Sequence, residues 1–300
     1  MQIKSIKHVI SNKMMSWLNS ITDEKLRSKV KNNLLVSGGC IASLLLKEDV
    51  KDYDVYIKDM DVLLDLVKYY TESYDKIRIL DGRKKEQYLE EYKNIEIDRI
   101  SVLIIKNLKP EQVKLSIISK FGELNGRIED IKQGDTNCFV PLFFSPNAIS
   151  LTNNIQIVTR FHGDNEEIHK NFDFIHATNY FTFKEGLVTN IPALESIITK
   201  QLHYQGSLYP LTSIIRMKKF IKRNWNINAG EILKIMFQIS KLDLSDYGVL
   251  EDQLIGVDVA YFSKLIEVLR DLDEKLILKS EYINELIDRI FNDEDLGIEN

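Results

Sequence analysis

A glycine pair and two aspartates, close together in the sequence, are the residues of this chain best suited to chemistry. Gly38 and Gly39 end a short apolar run, and Asp52 and Asp54 follow a helix-length apolar stretch. Alternate residues of a strand share one face, so we expect the carboxylates to lie side by side and to bind a divalent cation. Glycines let backbone N–H groups approach an anion at a helix start. Together these features predict chemistry on a nucleoside triphosphate.

Three short elements must position these residues, and the apolar patterns around the glycines predict them. We expect a strand at 33–36, a helix at 40–46 and a second strand at 52–57. Residues 1–30 carry apolar side chains at helical spacing, and Asp23 lies near the start of a second helix. We expect these N-terminal helices to brace the sheet that carries the aspartates.

The rest of the pattern divides the chain into a mixed part and a helical part. Before residue 190 it predicts helices at 61–70 and 111–121 and strands at 77–80, 95–105, 154–161 and 171–183. After residue 190 it predicts helices at 192–202, 210–223, 229–240, 257–272 and 280–291. We therefore expect N-terminal helices at 1–30, a catalytic domain at 31–190 with an elaboration around 60–150, and a helical C-terminal domain at 191–300.

The spacing of the glycines and aspartates resembles that of a known family. Gly38-Gly39, a gap of twelve residues and Asp-x-Asp in a hydrophobic strand resemble the nucleotidyltransferase superfamily of DNA polymerase β. The likeness is greatest to the head and neck of CCA-adding enzymes and bacterial poly(A) polymerases. The chain keeps the family's leucine run at 44–46, and Ala42-Ser43 stands where the family usually has Arg-Asp. The resemblance implies an α+β fold with a nucleotidyltransferase-type mixed β-sheet flanked by helices, followed by an all-helical C-terminal domain.

The resemblance also implies a reaction and a set of ligands. The enzyme would transfer a nucleoside monophosphate from ATP or another nucleoside triphosphate to a hydroxyl acceptor, with Mg²⁺ or Mn²⁺ as cofactor. An RNA or tRNA 3′ end is one acceptor in this superfamily, and a protein or a small molecule are the others. Asp52 and Asp54 would be catalytic metal ligands, and Ser37, Gly38 and Gly39 would bind the triphosphate.

A third carboxylate usually supports the metal that activates the nucleophile, and three positions compete for that role. Asp173 lies between two phenylalanines, and a carboxylate in apolar surroundings needs a metal or a cationic partner. We therefore predict Asp173 as the third catalytic and metal-binding residue. Glu96 and Asp98, on the strand predicted at 95–105, are its rivals. A different motif of the family would instead place Asp173 against the nucleotide.

Three histidines lie close to Asp173 in the sequence, at His162, His169 and His176. A zinc site usually includes cysteines at a characteristic spacing, and this region has none. We expect ordinary surface or core histidines.

The most basic segment of the chain is the helix predicted at 210–223. Helical spacing places Arg216, Lys219 and Arg223 on one face, for which a solvated charged surface is the ordinary interpretation. The segment is similar to the neck helix of the CCA-adding enzymes. That similarity implies that the three cations bind the phosphates of a nucleotide or an RNA.

Composition limits the partners and the location of the protein. The formal net charge of −5 argues against a general nucleic-acid coat protein but permits a local basic groove. Two cysteines are too few for a disulfide framework, and no apolar run approaches the length of a membrane span. We expect a cytoplasmic enzyme that needs no membrane. A catalytically inactive relative that serves as a binding or structural protein is the alternative.

Overall fold

A computed structural model describes residues 3–80, 102–104, 115–117, 139–144 and 147–244, together with Asp246, Val249 and Gln253. The chain divides into two compact units, residues 1–205 and 206–300. The glycine pair and the three predicted catalytic aspartates lie in the first unit, and the basic helix lies in the second. The domain boundary near residue 190 stays a prediction.

The first unit combines helices and short strands. Its helices are α1 (Ile3–Ser20), α2 (Glu24–Asn33), α3 (Gly39–Leu46), α4 (Met60–Leu80), α5 (Asn165–His169) and α6 (Ile191–Thr199), with a 3-10 turn at Ile175–Ala177. Its strands are β1 (Leu34–Ser37), β2 (Tyr53–Ile57), β3 (Val102–Ile104), β4 (Leu115–Ile117), β5 (Pro141–Phe144), β6 (Ala148–Leu151), β7 (Ile155–Val158), β8 (Tyr180–Thr182), β9 (Gly186–Val188) and β10 (Gln201–Leu202).

Within the described residues, seven strands form one mixed sheet in the order β5-β6-β7-β2-β1-β8-β9. Strands β2 and β7 run parallel, and the other neighbouring pairs of this sheet are antiparallel. Strands β3 and β4 form a separate antiparallel pair. The mixed sheet flanked by helices is the predicted fold class, which is therefore confirmed.

One face of the sheet carries the main apolar core, where β1, β2 and β7 pack against helices α1 to α4. Val36, Val55 and Ile157 are fully buried on this face. Side chains of a strand alternate between faces, so a slip of one residue in β2 would expose Val55 and bury Asp54 in the core. Burial of the apolar face therefore fixes the face to which Asp54 belongs.

The opposite face of the sheet is covered only in part. Leu35 and Tyr56 pack there against Ile168 of α5. Ser37 lies two residues after Leu35 and Asp54 two residues before Tyr56, so both lie on the same face, and they are paired with each other in the register of β1 and β2. This face thus changes from apolar to polar at the end of β1, where the glycine pair begins.

The N-terminal helices brace the sheet, as the sequence predicted. Ile6, Ile10 and Met14 of α1 are fully buried at helical spacing. The carboxylate of Asp23 accepts hydrogen bonds from the first backbone N–H groups of α2, which makes it the cap of that helix.

Two elements predicted in the elaboration are wrong. Residues 77–80 continue helix α4 instead of forming a strand, because Ile77 and Leu80 keep the three-residue spacing of a helix. Residues 115–117, inside the helix predicted at 111–121, form β4, since Leu-Ser-Ile alternates as a strand does and pairs with β3. Most of the strand predicted at 95–105 lies outside the described residues.

The single strand predicted at 171–183 is also wrong. The 3-10 turn at Ile175–Ala177 interrupts it, and β8 begins only at Tyr180. The carbonyl of Ala177 accepts a hydrogen bond from the N–H of Gly38 at 3.0 Å, so this segment bonds to the glycine turn and cannot pair as a strand throughout.

The second unit contains α7 (Pro210–Lys222), β11 (Asn226–Ile227) and α8 (Ala229–Ile239) in its described part. The helices predicted at 210–223 and 229–240 are confirmed, and those predicted at 257–272 and 280–291 lie outside the described residues. No described helix combines the length and the apolar character that a membrane crossing requires.

A buried hydrogen bond between α1 and α4 provides a test of the fold. Trp17 Nε1–H donates to the hydroxyl of Tyr70 at 2.7 Å, and both side chains are buried. Tyr70→Phe leaves the indole donor without its acceptor, so we expect a loss of about 1–3 kcal/mol in the free energy of unfolding, measured with urea. Tyr69→Phe is the matched control. The Tyr69 hydroxyl accepts a hydrogen bond from the backbone N–H of Thr22, which is exposed and lies just before α2. Equal losses in the two variants would contradict this account.

Candidate functional site

The glycine turn between β1 and α3 has a backbone that only glycine adopts readily. Gly38 has φ +92° and ψ −156°, and it is the cap residue that precedes α3. A Cβ atom added to Gly38 would lie 2.8 Å from Asp54 Oδ2, whereas a Cβ on Gly39 would meet nothing within 4 Å. The carboxylate of Asp54 therefore lies directly against the backbone of the turn. Of the two glycines, Gly38 alone is required by conformation and by space.

The first turn of α3 is open to an anion. No side chain caps the start of this helix, which leaves its first N–H groups for another acceptor. The carboxylate of Asp54 lies near this turn: burial raises the pKa of the Cys40 thiol, and the negative charge of Asp54 raises it further. An anion bound at the turn would meet the charge of Asp54, and a cation between them would relieve that repulsion.

A polar row crosses the sheet at Asp54. The register pairs Ser37 with Asp54 across β1 and β2, and Asp54 with Gln156 across β2 and β7. Residues paired across neighbouring strands share one face, so all three belong to the partly open face. Asp54 and Gln156 are half-buried. No sequence pattern indicated Gln156, because its place beside Asp54 depends on the parallel pairing of distant strands.

Asp52 lies just outside strand β2. The predicted strand at 52–57 begins one residue later, at Tyr53, and Asp52 is exposed to solvent. Asp52 and Asp54 thus differ in environment, with Asp54 held in the sheet beside the glycine turn.

The hydroxyl of Ser37 bonds to groups of the protein itself. Ser37 is fully buried, and its Oγ lies 2.8 Å from the carbonyl of Asn179 and 3.1 Å from the carbonyl of Ala177. The Nε2 atom of His169 lies 2.9 Å away. The structure thus gives the Ser37 side chain an anchoring role, and contact between Ser37 and a triphosphate stays a prediction.

Asp173 is buried in the first unit, in the stretch that precedes the 3-10 turn. Its backbone carbonyl accepts a hydrogen bond from the N–H of Gln205 at 2.9 Å, and Phe174 beside it forms a β-bridge with Tyr204. Among the described residues, no three His, Cys, Asp or Glu side chains converge as a metal site would require. Asp173 is therefore not brought into a three-ligand group with Asp52 and Asp54, and its catalytic role stays a prediction. Glu96 and Asp98 lie outside the described residues.

The three histidines have separate environments. His176 is buried and stacks on the ring of Phe174, His162 is half-buried, and His169 contacts Ser37. Among the described residues, no three His, Cys, Asp or Glu side chains come together as a zinc site would require. The sequence missed only the link from His169 to the glycine turn.

The basic residues belong to the second unit. Arg216 and Lys219 lie on α7, and Arg223 follows it as the C-terminal cap. The guanidinium of Arg223 lies 5.5 Å from the ring centroid of Phe220. The helical spacing of the three cations is as predicted, and their contact with phosphate stays a prediction.

Comparison with known proteins gives one family and a group of solved structures. Residues 8–200 match the model of the family described as Gad2, Gabija anti-defense 2 family protein. A curated protein of Bacillus phage SPbetaL7, named Gabija anti-defense 2, is 21% identical over 302 residues, a match that covers 95% of this chain and 58% of that protein. The chain therefore spans less than two thirds of the length of that relative.

The structural neighbours of the chain are CCA-adding enzymes. The Bacillus stearothermophilus enzyme in complex with CTP has a TM-score of 0.40 and 10% identity, over 81% of this chain and 48% of that one. The Thermotoga maritima enzyme with tRNA has a TM-score of 0.40 and 12% identity, over 98% of this chain and 62% of that one.

The asymmetry between the two glycines is directly testable. Gly38→Ala adds a Cβ atom in a strained conformation and against the Asp54 carboxylate, so we expect it to lower the free energy of unfolding by about 1–3 kcal/mol. Gly39→Ala adds its Cβ in open space at the start of α3, and we expect a change within about 1 kcal/mol. Chemical denaturation of both variants measures the difference. Equal effects at the two positions would refute the role given to Gly38.

Proposed function

The chain belongs to the Gabija anti-defense 2 family, and from this premise we propose that it is a phage anti-defence protein that works as a metal-dependent nucleotidyltransferase. It transfers a nucleoside monophosphate from a nucleoside triphosphate to a hydroxyl group and releases pyrophosphate. The observation that carries the proposal is the contact of the Asp54 carboxylate with the Gly38 backbone at the uncapped start of α3. A carboxylate and an uncapped helix start are thus adjacent, which is the arrangement that a metal-bound triphosphate would need.

The residues at the turn fit a divalent cation. Gly38 leaves the space beside Asp54 Oδ2 that a Cβ atom would fill, and the donor set is made of oxygens, with the carboxylates of Asp52 and Asp54 and the amide of Gln156. Oxygen ligands are those that Mg²⁺ and Mn²⁺ prefer. When bound, such an ion neutralises the charge that develops on the transferred phosphate and lowers the pKa of the attacking hydroxyl.

The chain itself binds and orients the substrate. The free N–H groups at the start of α3 donate to phosphate oxygens, and the positive end of the helix dipole favours the same anion. Gly38 would let the triphosphate approach the backbone, and Asp54 would hold the cation. Arg216, Lys219 and Arg223 of the second unit would bind phosphate, and Asp173 would assist the incoming hydroxyl.

Membership of this family favours a component of the Gabija defence as the acceptor, since the curated relative is named for acting against that defence. Modification of a hydroxyl group on such a component would inactivate it with a catalytic amount of the phage protein. An RNA or tRNA 3′ end is the alternative acceptor, and the net charge of −5 makes long RNA contacts less favourable.

A second candidate function is binding without catalysis. The observation in its favour is that the described residues bring no third carboxylate to Asp54, which has Gln156 beside it in the sheet. A protein of this kind would bind nucleoside triphosphate at the glycine turn. It would act on the defence system by sequestering the nucleotide or by binding a component of that system.

Substitution of Asp54 tests the enzymatic proposal. The protein is incubated with Mn²⁺, each α-labelled nucleoside triphosphate in turn, and either purified Gabija proteins or total RNA. We expect Asp54→Asn to lower label transfer at least about a hundredfold, because the cation loses a charged ligand. Asp61→Asn, at an exposed position of α4, is the control and should leave label transfer unchanged.

Two outcomes would contradict the enzymatic proposal. Transfer that persists in Asp54→Asn removes the proposed site. Nucleotide binding without transfer to any acceptor favours the second candidate function.

The position beside Asp54 allows a gain-of-affinity experiment. Gln156→Glu places a third carboxylate on the face of Asp54, so we expect it to tighten Mn²⁺ binding about tenfold, measured by calorimetry. Gln156→Leu removes the amide oxygen at similar volume and should weaken binding. Unchanged Mn²⁺ affinity in both variants would place Gln156 outside the metal site.

A further inference from the structure

The imidazole of His169 links helix α5 to the glycine turn. His169 Nε2 lies 2.9 Å from Ser37 Oγ, 132 residues away in sequence. Ser37 is also the register partner of Asp54 and the residue immediately before Gly38. A group that holds Ser37 in place therefore also holds the point where strand, carboxylate and glycine turn meet.

The direction of this hydrogen bond follows from the neighbours of Ser37. A serine hydroxyl carries one proton, and the carbonyls of Ala177 and Asn179 near Oγ can only accept. The single hydroxyl proton is therefore directed at these carbonyls, of which that of Asn179 is the nearer at 2.8 Å, and we infer that His169 Nε2–H donates to Oγ. Burial lowers the pKa of His169 to about 4, so the ring is neutral at pH 7 and has one N–H, which this hydrogen bond assigns to Nε2.

The ring of His169 is itself held in place. Its centroid lies 5.1 Å from that of Phe172 and 5.8 Å from that of Tyr180, the other register partner of Ser37. Gln205 Nε2 donates to the backbone carbonyls of His169 and Phe172. A capping box fixes the start of α5, the helix that His169 ends. These contacts fix one position for the donor nitrogen.

We propose that His169 is a positioning residue of the candidate site, which donates from Nε2 to Ser37 and thereby holds the glycine turn against Asp54 for binding of the triphosphate. This inference rests on the proposed function. His169 does not contact the nucleotide in this account, because its donor nitrogen is directed at the buried hydroxyl of Ser37.

Two amide substitutions separate positioning from simple packing. The side-chain nitrogen of glutamine reaches the place of imidazole Nε2, whereas that of asparagine reaches the place of Nδ1. We expect His169→Asn to weaken binding of nucleoside triphosphate with Mg²⁺ about tenfold in the full chain, and His169→Gln to remain within about twofold of wild type. Calorimetry measures the affinities. Thermal unfolding of both variants shows that they are folded.

Several results would overturn the proposal. His169→Asn with wild-type affinity, or His169→Gln as weak as His169→Asn, removes the role of the Nε2 donor. Nitrogen-15 NMR of the wild-type imidazole offers a test that needs no variant. The Nε2–H tautomer is expected, and the Nδ1–H tautomer would contradict the hydrogen bond as assigned.

Failure of the proposed function would be visible separately. If the wild type binds no nucleoside triphosphate, that function fails, and His169 is then tested by hydrogen exchange at the Gly38 amide, which donates to Ala177 at 3.0 Å. Faster exchange in His169→Asn than in His169→Gln supports the positioning role. Equal exchange in wild type and both variants overturns it.

Discussion

The structure depends on the close approach of one carboxylate to one glycine. A Cβ atom on Gly38 would lie only 2.8 Å from Asp54 Oδ2, and Gly38 has a backbone conformation that other residues adopt at a cost. This places a negative charge beside the uncapped start of α3, which itself favours an anion. A phosphate bound there would be repelled by the Asp54 carboxylate, and a bound cation would relieve that repulsion. The arrangement therefore favours a cation and a phosphate bound together, whatever reaction follows.

The apolar core and the polar anchors both maintain this approach. Burial of Val55 on one face of β2 keeps Asp54 on the other, since the two alternate along the strand. The hydroxyl of Ser37 contacts His169 of α5 and donates to the carbonyl of Asn179, after the 3-10 turn. Elements far apart in sequence therefore meet at one turn. Positions fixed in this way would let the proposed site bind a triphosphate with little rearrangement.

Local patterns predicted the parts of the site that are close in sequence. They predicted the elements from β1 to β2, with the glycine pair and Asp54 on them, because alternation and helical spacing are properties of neighbouring residues. Gln156 and His169 could not be predicted in this way, since their places follow from pairing and packing across more than a hundred residues. The difference between Gly38 and Gly39 could not be predicted either, because a residue type does not determine its backbone angles. Short strands such as β5, β6 and β9 have too few residues to establish a period.

The central claim is that a metal-bound triphosphate lies at the glycine turn beside Asp54. Paramagnetic broadening by Mn²⁺ tests it most directly, with the amide signals of the full chain assigned and a non-hydrolysable nucleoside triphosphate present. The account predicts that the strongest broadening falls on Gly38, Gly39, Cys40 and Asp54, and that it disappears when Mg²⁺ replaces Mn²⁺. Broadening centred on another part of the chain, with these four signals unaffected, would contradict it.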